Sequence, residues 1–154
     1  MPWLNNTCGN SASNNLQNPS EKRFNMGAVN VRTTGYRDGQ LASCPARPNC
    51  VCSQSTAVRH AIDPLVLPGD MVNPMGHLLE IVQQLPRVRL LSQEEHYLHL
   101  EVRTSWFRFV DDVEFYWDQE ASCIHVRSAS RIGYSDLGTN RRRIERIRRL
   151  FEAT

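Results

Sequence analysis

Between Arg103 and Arg143 the chain places acids, guanidinium groups and hydroxyls inside stretches that otherwise alternate like strands. Polar groups in such positions are costly unless they are paired or used. The candidate binding residues are Arg103, Asp111, Arg127, Ser128, Ser130 and Arg131, followed by Tyr134, Asp136, Asn140 and Arg141. Guanidinium and hydroxyl donors on a loop after a strand suit a small anionic or polar ligand, or a protein partner. Asp111 is the candidate general base of an alternative reading, a small hydrolase or transferase.

Strand parity gives Asp111 its interest. It drops this carboxylate onto the apolar face beside Ser128 and Ser130, where an acid must find donors or a cation. The expected donors are the two serines and backbone N–H groups of the 132–138 loop. Asp112 points to the other face, opposite Arg127 and near His99, as an exposed cross-strand ion pair. On that basis Asp111→Ala is expected to cost about 1–3 kcal/mol and Asp112→Ala under about 1 kcal/mol.

Neighbouring strand residues face opposite ways, so Asp111 and Asp112 cannot share one cation. Cys44, Cys50 and Cys52 lack the spacing of a zinc site. No metal and no cofactor is expected. A Cys44–Cys50 disulfide is expected in an oxidising compartment and free thiols in a reducing one. The chain contains no Gly-x-Ser-x-Gly, phosphate loop, dinucleotide fingerprint or His-Glu-x-x-His, so the familiar catalytic and nucleotide-binding motifs are excluded.

The elements that must position these residues follow from periodicity. A chain of 154 residues with net charge +2 has the size of one α+β domain and no global attraction to nucleic acid. Residues 1–40 read as a loosely ordered arm, and residues 41–154 as the domain. Asn73 and Pro74 open a helix over 73–85 whose stripe is Met75, Leu78, Leu79, Val82 and Leu85. Four strands over 87–94, 97–104, 107–118 and 123–131 form an antiparallel meander, with tight turns at Ser105-Trp106 and Gln119-Glu120.

The meander's core face collects Leu98, Leu100, Val102, Val113, Phe115, Ile124 and Val126, and the opposite face is expected to be wet. Thr139 caps a C-terminal helix whose stripe is Asn140, Ile144, Ile147, Leu150 and Phe151, packed on the core face. Arginines 141, 142, 143, 146, 148 and 149 surround that stripe. Nucleic acid is disfavoured as their partner because no aromatic residue interleaves for base stacking. No stretch has the length of a membrane helix and the N-terminus lacks a signal-peptide pattern, so a soluble, cytoplasmic chain is expected.

Several of these motifs form an ordered set. Cys44-Pro45 through Pro48-Asn49-Cys50-Val51, Arg103-Thr104, Phe109 to Glu114, Arg127-Ser128-Ala129-Ser130-Arg131, Gly133 to Gly138 and Asn140-Arg141 resemble the domain-of-unknown-function family 1499 from Leu41 to the end. The resemblance implies a shared pattern without an assigned activity. It also implies that Cys52 is no ligand, since similar proteins often carry serine there, and that similar proteins can be exported.

Overall fold

The computed structural model describes residues 34–69, 71–104 and 109–153. In chain order they form β1 (Tyr36–Arg37), β2 (Gln40–Leu41), β3 (Cys50–Cys52), β4 (Leu65–Val66), α1 (Pro74–Gln83), β5 (Val88–Gln93), β6 (Tyr97–Arg103), β7 (Val110–Asp118), β8 (Cys123–Ser130) and α2 (Thr139–Glu152). The fold is α+β, and the main sheet has six strands rather than the four expected. Its order is β3-β8-β7-β6-β5, with β4 also paired to β8. The two extra strands are too short to show a period. Cys50–Cys52 lies antiparallel to Arg127–Ala129, and Leu65–Val66 to Cys123–Ile124.

Both hairpins of the meander are longer than tight turns. Arg103 faces Val110 and Asp118 faces Cys123, so each register is displaced by two residues from the expected one. A two-residue displacement leaves every side chain on its face, because the pleat repeats every two residues. Leu98, Phe115 and Val126 therefore still share the core face, now directly opposite one another. Cross-strand partners do change: Arg127 faces Glu114, and Asp112 faces Ala129.

The helices cover the apolar face. Asn73 caps α1 by accepting from the Gly76 N–H at 3.0 Å, and Leu78, Ile81 and Val82 turn inward. α2 contributes Ile144, Ile147 and Phe151, all essentially inaccessible, against Leu98, Leu100, Val113 and Phe115. Each such side chain contributes about 1.5–3 kcal/mol on burial. Leu150, expected in the stripe, is 43% exposed. Gly138, at a positive φ of 77°, holds the N-cap position expected of Thr139, which becomes the first helical residue.

The opposite face is not wet. Tyr97, Glu101, Asp112, Glu114, His125 and Arg127 are all buried. Tyr36 packs on Tyr97 and Tyr116 with ring centroids 5.0 and 4.9 Å apart, and the Gly35 N–H donates to Glu114 Oε1 at 2.5 Å. Gln54 fastens this cover by accepting from the Leu41 N–H at 2.9 Å and donating to the Gly39 carbonyl at 2.7 Å. Of the expected N-terminal arm, residues 34–40 thus belong to an ordered hairpin, and residues 1–33 lie outside the described part. At the outer edge, β5 carries a bulge: Leu90 pairs with Leu100 and Ser92 with His99, leaving Leu91 between them.

Candidate functional site

The polar face carries two charge networks. In the first, Glu114 is completely buried. Its Oε2 accepts from Arg127 Nη1 at 2.7 Å and its Oε1 from the Tyr97 hydroxyl at 2.7 Å. Burial, followed by the charge of Glu114, pushes the Tyr97 hydroxyl up from its ordinary pKa, so it remains a donor. In the second, Asp112 Oδ1 and Oδ2 take Arg131 Nη2 and Nε at 2.8 and 2.9 Å, a bidentate pair, and Oδ1 also meets His99 Nε2 at 2.8 Å. Arg131 Nη1 reaches Glu101 Oε2 at 3.0 Å, and Arg103 Nε reaches Glu101 Oε1 at 3.1 Å. Burial alone would raise the Asp112 carboxyl, but the hydrogen bonds and charges of His99 and Arg131 hold it down at about 2.

A cleft of about 570 Å³ opens beside these networks. Arg127, Asp112, His99 and Arg131 line it together with Asn49, Cys44, Pro45 and Arg47. A disulfide joins Cys44 to Cys50, fixing this segment to the start of β3. Asn49 is 3% exposed and its Nδ2 donates to the carbonyls of Ser130 and Gly133 at 3.3 and 2.9 Å. Among the described residues its Oδ1 is buried with no hydrogen-bond partner, and so is Arg127 Nε. One unpaired acceptor and one unpaired donor therefore sit on residues that line the same cleft.

The expected site residues divide among several places. Arg127, Ser130 and Arg131 line the cleft. Asp111 lies across the sheet, 1% exposed, and lines neither this cleft nor the groove described further below. Its partner is Arg143, whose Nη2 reaches Oδ2 at 2.5 Å, rather than the two serines or the loop N–H groups. Ser128 instead donates to Asn140 Oδ1 at 2.5 Å, and Asn140 Nδ2 donates to Ser130 Oγ and the Asn49 carbonyl, each at 3.1 Å. Arg143 Nη1 completes the cluster with bonds to Ser128 Oγ and Asn140 Oδ1. These are bonds that seat α2 on the sheet.

The rest serve the ends of α2 and the rim. Asp136 accepts from the Gly138 and Asn140 N–H groups at 3.0 and 2.7 Å, satisfying the first amides of the helix. Arg141 donates to the Ala61 carbonyl at 2.7 Å, Tyr134 is exposed, and Arg103 stands at the rim of the second network. The residues missed are Asn49, Glu114 and Arg143. Arg143 stands three residues after Asn140 and so shares its stripe, which was a usable signal. Asn49 lies in the Pro48-Asn49-Cys50 motif, but nothing in its spacing marks an unpaired oxygen.

Fold and site together define an α+β protein with one sheet face packed under helices and the other closed over paired charges. The chain belongs to the family described as Protein of unknown function (DUF1499), whose model matches residues 40–151. No curated protein and no solved structure matches it. Among the described residues no helix is long and apolar enough to cross a membrane, and no group of three His, Cys, Asp or Glu residues is placed to hold a metal ion.

Proposed function

We propose that the chain is a binding domain, formed by residues 41–154, whose polar cleft takes a small polar ligand. The observation that carries this reading is the pair of orphaned atoms, Asn49 Oδ1 and Arg127 Nε. A buried polar atom without a partner costs about 1–3 kcal/mol, and a ligand that supplies both partners recovers that cost on binding. The matching group accepts from Arg127 and donates to Asn49, as a hydroxyl or a carboxamide does. The charge of Arg127 is already met by Glu114, which favours a neutral or singly charged ligand over a multiply charged one. Asp111 supports a structural role better than that of a base, since Arg143 holds its Oδ2 and the residue lines neither the cleft nor the groove.

The test is ligand-observed NMR with separate sets of polyols, primary amides and small carboxylates. At least one set should bind saturably, and Ser43→Trp, at the exposed lip of the cleft, should abolish the effect while leaving the melting temperature unchanged. The absence of any saturable probe, or a hit indifferent to Ser43→Trp, would defeat the proposal.

A further inference from the structure

Beyond the polar cleft, the structure holds a second concave site on the helix side of the sheet. A groove of about 320 Å³ runs between the end of α1 and the first turns of α2. Five arginines are among its lining residues: Arg87, Arg103, Arg142, Arg143 and Arg146. Thr104 and Thr139 add hydroxyls, Leu85, Pro86, Val88 and Val102 add an apolar wall, and among the described residues no carboxylate lines it.

Stability alone does not account for this gathering. Arg142 and Arg146 are four apart on α2 and Arg143 and Arg146 three apart, spacings at which like charges cost about 0.2–0.5 kcal/mol per pair. Arg87 also holds a positive φ of 60°, a backbone region where glycine is the easy choice. Part of the set is already fixed in place. Arg143 is held by Asp111, Ser128 and Asn140, Arg142 by the Leu137 carbonyl and Thr139 Oγ1, and Arg103 through its Nε by Glu101. Anchoring of this kind pre-pays the ordering of long side chains and leaves further N–H groups for a ligand. The amides at the start of α2 are taken by Asp136, so Arg142, Arg146 and Thr139 are the donors available.

We propose that this groove binds a phosphate dianion, free or as a monoester. Planar, forked guanidinium donors match the tetrahedral oxygens of phosphate, and Arg142 and Arg146, which meet no carboxylate among the described residues, favour a ligand with more than one negative charge. The small volume fits a single phosphate group rather than a nucleic acid strand. The monoester can come from a soluble metabolite or from a lipid headgroup; both present the same group to the same arginines.

Titration calorimetry of the full chain with inorganic phosphate and glycerol phosphate, at fixed ionic strength, tests the soluble arm. Sedimentation with phosphatidylcholine vesicles, with and without phosphatidate, tests the lipid arm. Saturable binding in either arm, weakened about tenfold or more by Arg142→Gln/Arg146→Gln and unchanged by Arg149→Gln, is the expected result. Arg142, Arg146 and Arg149 are all exposed, so these variants keep the core intact. Failure of phosphate, glycerol phosphate and phosphatidate vesicles to bind would overturn the proposal. Equal weakening by Arg149→Gln would overturn it too, by showing diffuse attraction to a charged helix.

Discussion

The two faces of the sheet solve burial in opposite ways. Beneath α1 and α2, apolar side chains fill the space and one ion pair, Asp111–Arg143, is tolerated beside them. Beneath the residue 34–54 cover, the sheet buries Glu114 paired with Arg127, Asp112 paired with His99 and Arg131, and His125 paired with Ser53 and Asp118. The first face gains from every side chain it hides. The second gains only where each charge finds its partner, and a charge left alone there is expensive.

Removing one member of the deepest pair should therefore have the largest effect. Arg127→Met leaves Glu114 without its cation and should cost about 3–5 kcal/mol in urea melts. Adding Glu114→Gln should recover a substantial part, because the stranded charge goes. A loss under about 1 kcal/mol from Arg127→Met would mean that water reaches Glu114 and that the two faces differ less than their burial indicates.

On the helical face, Arg143→Ala should cost less, about 2–3 kcal/mol, since its side chain keeps 11% exposure and solvent can assist Asp111. The same measurement on Asp112→Ala should now fall in that range too. The expectation of a smaller cost rested on an exposed Asp112, whereas its side chain is only 10% exposed and bonded to both Arg131 and His99.

The Asp112 network also gives a pH signature. Its folded pKa of about 2 lies below the ordinary 3.8, so its contribution is present above the ordinary value and disappears as pH falls through the folded one. The stability gap between the wild-type chain and Asp112→Asn should accordingly shrink by about 2 kcal/mol between about pH 5 and pH 2. A gap that stays constant over that window would separate Asp112 from the acid response. The smallest effect belongs to the rim: Arg103→Ala, at a side chain 62% exposed, should change stability by under about 1 kcal/mol.

Much of this architecture was legible because parity survives errors of two residues. The expected tight turns, of which 105–106 lies outside the described residues, miss each register by two, yet Leu98, Val113, Phe115, Ile124 and Val126 still share the core face and Asp111 still lies on it. Cross-strand partners have no such protection, so Arg127 was matched with Asp112 instead of Glu114. Alternation also reports that a face is polar without reporting what covers it. Tyr97, Glu114 and His125 looked like a solvated surface, and the 34–54 segment that encloses them has no period of its own. The short β3 and β4 were hidden for the same reason. Arg143 was readable from helical spacing, but as one of six arginines it was assigned to the solvent side with the others.

The bulge in β5 bears on how copies of this chain meet. Among the described residues β5 pairs only with β6, so its other side presents main-chain N–H and C=O groups. Past Leu90 the extra residue throws those groups out of step, and Arg89, Leu91 and Gln93 stand exposed along the strand. A second molecule adding a straight strand could keep its ladder for only about half of that edge before the hydrogen bonds lose register. Leu91 thus interrupts the edge on which another strand could be laid, and deleting that one residue should leave a longer regular edge for strand addition.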